Sequence, residues 1–309
     1  MDDRDFRIIV ELYRHPFASY EAIGRVIGAT GTAVKSRLDR LEKRGVIGGF
    51  YVTPAARVFG RHRHIFAFLE VETEPNLKDV LDVEDVANVF RGRPGMIMVN
   101  TFDPSPEAGP PARLLKLMGR PPYGAVLPDS PEEISEKDAV LSPLDWRVLD
   151  VLVDGPRVPL RELARRTGLT ARTVRKRRDA LVAKHLLTVS PIIDTSREPG
   201  LIVYSGYVTV KRKSDLRHVR APGLVWAWAH HEPPAAAIFG CAATYAEAQE
   251  AEHTLESLPG VTRVVLTVAR GGGEAKQRLH EWIRAELARW NTLTVRAQPP
   301  QQSRAKRVE

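Results

Sequence analysis

Cysteine is nearly absent, with Cys241 the single example in 309 residues. That excludes a disulfide framework and a cysteine-based zinc site. Long apolar runs are missing too, and none approaches the roughly 18–20 residues that span a bilayer, so no membrane association is expected. No N-terminal stretch combines a basic flank, an apolar core and a small-residue cleavage site, which gives a cytoplasmic expectation. No glycine loop has the Lys-Ser/Thr of a phosphate cradle: Gly271-Gly272-Gly273 follows a strand pattern but lacks both residues. What remains is a chain with 43% hydrophobic and 27% charged residues, long enough for two to four domains at roughly 100–200 residues each.

The formal net charge of +8 is unevenly placed: residues 1–140 sum to −2 and residues 141–309 to +10. A basic half joined to a mildly acidic one favours contact between the second half and a polyanion.

Self-similarity organises the chain. Asp5-Phe6-Arg7-Ile8-Ile9 aligns with Asp145-Trp146-Arg147-Val148-Leu149 at a spacing of 140 residues, and the register continues without a gap. Pro16 falls on Pro156, Gly28 on Gly168, Thr30 on Thr170, Val34 on Val174, Arg37 on Arg177 and Leu41 on Leu181. The chain is a tandem duplication.

Each copy opens with three helical patterns. Ser142-Pro143-Leu144-Asp145 supplies a cap, a proline at the first helical position and an early acid. Leu144, Val148, Leu149 and Leu152 form one apolar face before Gly155-Pro156 ends the helix. A short helix over Leu160 to Arg166 and the turn Gly168-Leu169-Thr170 lead into a third helix from Ala171 to Lys184; its first-copy counterpart is Gly31 to Arg44. A β-prone stretch follows each. This is the pattern of a winged helix-turn-helix.

The remainder of each copy alternates strand and helix as β-α-β-β-α-β, a ferredoxin-like arrangement. The second copy shows it over Leu201–Val210, Ser214–Val219, Gly223–His230, Pro234–Cys241, Tyr245–Ser257 and Val261–Val268. The first shows it over Ile65–Glu72, Leu77–Leu81, Asp85–Phe90, Met96–Phe102, Pro111–Leu117 and Tyr123–Leu127. The expected fold class is therefore α+β, with two winged helix-turn-helix domains each followed by a ferredoxin-like domain. The expected bounds are 1–54, 64–128, a linker at 129–140, 141–195 and 200–270. A flexible joint at Gly271-Gly272-Gly273, a helix over 274–290 and a disordered tail over 291–309 complete the chain.

These residues resemble the Lrp/AsnC, or feast/famine, family of regulators. The likeness rests on Asp5…Ile8-Ile9…Leu12, Gly28-Ala29-Thr30, Arg37-Leu38-Asp39-Arg40-Leu41-Glu42, Gly45-Val46-Ile47-Gly48-Gly49, Leu163-Ala164-Arg165-Arg166-Thr167-Gly168-Leu169-Thr170 and Leu258-Pro259-Gly260-Val261. The resemblance implies a DNA-binding transcriptional regulator whose ferredoxin-like domains pair and sense a small effector such as an amino acid, with Gly240 at the effector position. It also implies a homodimer or higher homo-oligomer. Two units in tandem look like a dimer made covalent.

The outward faces of the third helices are the candidate readers of double-stranded DNA: Thr32, Lys35, Ser36, Arg37 and Arg40 in the first, and Arg172, Thr173, Arg175, Lys176 and Arg177 in the second. Five basic residues between Arg172 and Arg178 exceed what solubility requires, so the second unit is expected to dominate. Arg178 occupies the inward position of Leu38, so either the helix is rotated or the arginine extends along its apolar stem. His62, His64, His230 and His231 read as surface or hydrogen-bonded histidines and Cys241 as a small core residue, so no metal, cofactor or catalytic residue is assigned. Trp226 and Trp228 alternate along a strand and read as sheet packing, or as walls of a pocket. Two rival functions share this fold pattern: a tetrapyrrole enzyme resembling the siroheme decarboxylases, and a nucleoid-type protein with little sequence preference.

Overall fold

The computed structural model describes residues 1–107, 109–121, 139–194, 200–231 and 234–296. The first copy begins with α1 (Asp3–Arg14), α2 (Tyr20–Ile27) and α3 (Gly31–Lys43), followed by β1 (Ile47–Pro54) and a 3-10 turn (Ala56–Phe59). Its sensor half contains β2 (His62–Phe68), α4 (Leu77–Leu81), β3 (Val86–Arg91), β4 (Ile97–Asp103) and α5 (Ala112–Met118). The second copy runs α6 (Pro143–Asp154), α7 (Leu160–Thr167), α8 (Ala171–Ala183), β5 (Leu187–Ile193), β6 (Ile202–Val210), a 3-10 turn (Lys213–His218), β7 (Leu224–His231), β8 (Pro234–Ala242), α9 (Tyr245–Glu256) and β9 (Val261–Val268). Two further elements, β10 (Gly271–Glu274) and α10 (Lys276–Arg296), have no described equivalent in the first copy.

Local chemistry explains the helix starts. The Ser142 hydroxyl accepts from the Asp145 amide at 3.3 Å and the Asp145 carboxylate accepts from the Ser142 amide at 3.0 Å, a reciprocal box with Pro143 inside it. Asp2 and Asp5 make the same box at the head of α1.

The β stretches that follow the third helices pair with each other. β1 and β5 run antiparallel as a two-stranded ribbon joining the copies. Phe50 pairs with Pro191 and Tyr51 with Ser190. In the 140-residue register Pro191 is the counterpart of Tyr51 and Ser190 of Phe50, so the ribbon relates the copies by a pseudo-two-fold passing between residues 50 and 51.

In the second sensor sheet the order is β7-β8-β6-β9, every neighbour antiparallel, as a ferredoxin-like domain requires. The first sheet has the order β10-β3-β4-β2. The strand expected at 123–127 lies outside the described residues, as does most of the expected linker.

The expected flexible joint is in fact β10, with Gly271 paired to Arg91 and Gly273 to Val89. A β-carbon on Gly272 would stand 2.5 Å from the Val89 carbonyl oxygen, so the bare glycine lets this strand lie close against β3. The helix expected to end at 290 continues to Arg296, and 297–309 lie outside the described residues.

Period-two alternation gives each sheet two buried faces. Phe66 and Phe68 of β2 pack toward Val80 and Leu114 of their own copy's helices, whereas Ala67 between them meets the other sheet. On β6, Val208 packs with Leu216 and Leu255 while Tyr207 faces the first sheet. Ala67, Met96, Met98, Tyr207, Ala235 and Ala237 form the resulting sheet-on-sheet core. The sensor domains thus pair within one chain.

The helical domains dock crosswise. The first helix-turn-helix core is continuous with Ile193, Val203, Phe239 and Cys241 of the second copy. The second is continuous with Val52, Ala56, Val58 and Phe102 of the first, and is closed by Leu279 and Ile283 of α10. Trp282 stacks on Phe102 with ring centroids 5.6 Å apart, and His280 bridges Asp150 and Asp154 at 2.7 and 2.9 Å. Because Ile283 is fully buried between α10 and the second helical domain, Ile283→Ala is expected to cost about 2–5 kcal/mol in urea unfolding.

Candidate nucleic-acid interface

Both recognition helices are set by the same local grammar. Gly28 and Gly168 end the preceding helices at φ 69° and 67°, a left-handed conformation that glycine adopts without steric cost. The Thr30 hydroxyl then accepts from the Ala33 amide at 3.2 Å, and the Thr170 hydroxyl from the Thr173 amide at 3.1 Å. Val34, Leu38 and Leu41 are buried beneath α3, and Val174 and Leu181 beneath α8. That fixes which side chains face outward.

The ten candidate DNA contacts divide once the side chains are placed. Thr32, Lys35, Ser36 and Arg40 on α3 are exposed, as are Arg172, Arg175 and Lys176 on α8. Arg37 is turned inward and bonds Asp2 at 2.7 Å and Asp5 at 2.8 Å. Its counterpart Arg177 bonds Asp145 at 2.7 Å and the Ser142 hydroxyl at 2.9 Å. These two arginines lock each third helix onto the acid-capped start of the first helix, which a face count from sequence did not reveal. Thr173 is half-buried with its hydroxyl 2.9 Å from that of Thr170, so it belongs to the cap.

Charge availability separates the helices further. Lys35 is paired with Asp39 at 2.7 Å, and that contact raises the lysine's pKa. Arg40 bonds Asp5 at 3.1 Å. Among the described residues, no hydrogen bond or ion pair holds Arg172, Arg175 or Lys176. The second reader therefore offers three uncommitted cations on one exposed face, and the first offers a face partly neutralised by its own acids.

Arg178 resolves by extension rather than by rotation, because Val174 and Leu181 keep the expected buried phase of α8. Its guanidinium lies 4.3 Å from the Phe17 ring centroid of the first copy and pairs with Asp179 at 2.7 Å. Arg157 reaches the same neighbour, donating to the Pro16 carbonyl at 2.6 Å and lying 5.2 Å from the Phe50 ring. Together they clamp one reader to the other. Only their position opposite copy-one aromatics, a tertiary fact, marks them out.

The other candidates are placed as follows. Gly240 lies in β8 against Tyr204, whose ring occupies the space a β-carbon would need, 2.2 Å away. His64 is fully buried, its Nε2 lying 3.1 Å from the Ser105 carbonyl oxygen. Cys241 is buried and its thiol is pushed up to about 12 by desolvation, as suits a core residue. No group of three or more His, Cys, Asp or Glu suited to a metal occurs among the described residues. Among them, too, no helix is long and apolar enough to cross a membrane. The side chains of Trp226, Trp228, His230 and His231 lie outside those described.

The winged helix-turn-helix DNA-binding family matches residues 1–47, and the AsnC-type helix-turn-helix domain matches residues 141–182. The chain carries two helix-turn-helix DNA-binding domains in tandem, one of them AsnC-type. An uncharacterized helix-turn-helix transcriptional regulator of Pyrococcus horikoshii is 29% identical over 112 residues, covering 33% of this chain and 71% of its own. A helix-turn-helix transcriptional regulator of Mycobacterium tuberculosis is 44% identical over 50 residues, 16% of this chain and 34% of its own. Among solved structures, the siroheme decarboxylase NirDL is 13% identical with a TM-score of 0.44, covering 92% of this chain and 99% of its own. Escherichia coli AsnC is 14% identical with a TM-score of 0.28, covering 42% of this chain and 91% of its own.

The lock beneath the AsnC-type domain is pH-sensitive. Burial acts to raise the pKa of Asp145, but Ser142 and Arg177 outweigh it and hold the carboxyl below its ordinary 3.8. A depressed folded-state value contributes stability that is complete above 3.8 and is lost as pH falls through that lower value. Arg177→Ala is expected to lose about 1–3 kcal/mol near neutral pH. In urea unfolding at about pH 3 the gap to the wild type narrows, because Asp145 is then largely protonated in the unfolded chain.

Proposed function

We propose that this chain is a sequence-specific DNA-binding transcriptional regulator in which one polypeptide presents two recognition helices to a duplex. The observation that carries this is the exposed, uncommitted trio Arg172, Arg175 and Lys176 on the third helix of an AsnC-type domain. Arginine near the N-terminal end of such a helix reaches guanine edges in the major groove, and flanking cations neutralise phosphates. Names of the relatives point the same way.

In this reading Lys35, Thr32, Ser36 and Arg40 form the weaker first reader, while Arg37 and Arg177 hold the readers in shape. The ribbon and the Arg157 and Arg178 clamps fix the separation of the helices. Target choice then depends on half-site spacing as well as on base sequence. Covalent linkage keeps the second helix at high effective concentration once the first has docked.

The test is fluorescence anisotropy with duplexes from the chain's own promoter region, in competition with random DNA. Arg175→Ala with Lys176→Ala is expected to weaken binding at least about tenfold at moderate salt and to flatten the salt dependence by about 2, at roughly 0.9 per phosphate contact. Lys35→Ala, which removes a cation already paired with Asp39, is expected to have the smaller effect. Equal effects would overturn the dominance of the second reader. Equal affinity for promoter and random duplexes would overturn specific regulation, and absence of salt-sensitive duplex binding would overturn DNA binding altogether.

A further inference from the structure

Below the ribbon, where the first helix-turn-helix meets both sensor sheets, lies a cavity of about 100 Å³. Its walls are mostly apolar: Tyr13 from α1, Tyr51 from β1, Phe90 from β3 and Phe239 from β8, with Ile193 beside them. Tyr13 is not free to serve a guest, since its hydroxyl donates to the Pro191 carbonyl at 3.3 Å. The floor is β10, and from it Glu274 lines the cavity.

Glu274 is the anomaly. Both carboxyl oxygens are shielded from solvent and neither is held by a hydrogen bond of good geometry. Attraction from the Lys276 ammonium and a weak bond from the Val52 amide act to lower its pKa, but desolvation outweighs both and pushes the carboxyl up to about 8. A buried carboxyl with both oxygens unmatched costs free energy unless something donates to it. Asn88 and the exposed Lys276 also border the chamber, but Asn88 is bonded to Asn100, so the buried acceptor on Glu274 suits a compact apolar molecule ending in a nitrogen donor. At about two thirds of the roughly 150 Å³ that accommodates benzene, the cavity restricts its guest to a molecule smaller than benzene.

We propose that this cavity is a binding site for a small aliphatic amine, its hydrocarbon held between Tyr13, Tyr51, Phe90 and Phe239 and its ammonium bonded to Glu274. The site depends on the tandem arrangement: α1 and the ribbon come from both copies' reading domains, and β10 has no described counterpart in the first copy. An amine enters as its ammonium form while Glu274 gives its proton to the buffer, so the bound pair is carboxylate and ammonium and the proton balance closes. The proposal does not rest on the DNA-binding reading.

Isothermal titration calorimetry on the full chain, with isobutylamine as probe, tests this. Saturable binding is expected, with proton release detected as a buffer-dependent heat near neutral pH. Isobutanol and isovalerate, of similar shape, are expected to bind at least tenfold more weakly. Glu274→Gln is expected to weaken the amine at least tenfold while leaving its thermal unfolding cooperative. Phe90→Trp, which enlarges a wall side chain on the neighbouring strand, should abolish binding with Glu274 intact. Equal binding of amine and alcohol, unchanged binding in Glu274→Gln, or no saturable amine binding up to millimolar concentration would each overturn the proposal. The last result would leave the cavity to ordinary water.

Discussion

The antiparallel ribbon formed by β1 and β5 is the constraint on which the molecule depends. Each strand leaves a reading domain and enters the other copy's territory, so the pairing of Tyr51 with Ser190 fixes the two-fold and all that follows from it. Once the strands cross, the first helical domain closes its core with Val203, Phe239 and Cys241, and the second closes its own with Val58 and Phe102. Neither copy has a complete core alone. Separating them would expose both helical domains and the alanine-rich face between the sheets, so the expected behaviour is one cooperative unit rather than two beads on a string.

Duplication followed by divergence has made the halves unequal in the charge their third helices expose. The lock of Arg37 on Asp2 and Asp5 and the lock of Arg177 on Asp145 are the same device in both copies. Outside the lock the two helices part: α3 faces solvent with a lysine tied to Asp39, whereas α8 presents cations without acids to quench them. A pair of identical readers would favour a symmetric half-site pair. Under the proposed reading, a strong reader and a weak one, held at a fixed distance by Arg157 and Arg178, would suit a site whose halves differ.

The departures from symmetry concentrate at the C-terminal end. β10 completes a sheet that belongs to the other copy, and α10 returns to seal the second helical domain through Leu279 and Ile283. These segments bind the last part of the chain to the first sensor domain. Arg270 joins them, its amide donating to the Arg91 carbonyl at 2.8 Å. They also create the chamber around Glu274, which a simple pair of identical units would lack.

Much was legible in the sequence by itself, because local chemistry determines it. The capping box at Ser142, the left-handed turns at Gly28 and Gly168, the buried phase of Val34, Val174 and Leu181, and the bounds of Val261–Val268 all follow from spacing and side-chain type. The duplication was equally plain in the 140-residue register. Tertiary structure alone decided what long-range partners do. It drew Arg37 and Arg177 away from the outward face into ion pairs, because a carboxylate at a helix start, buried at Asp5 and partly buried at Asp145, forms a charge-assisted bond with the guanidinium. It turned Gly271-Gly272-Gly273 from a joint into a strand, because bare backbone amides and carbonyls find partners on β3 and no side chain intervenes. It left Glu274 facing an apolar chamber, a placement invisible to periodicity because its walls come from segments more than two hundred residues apart.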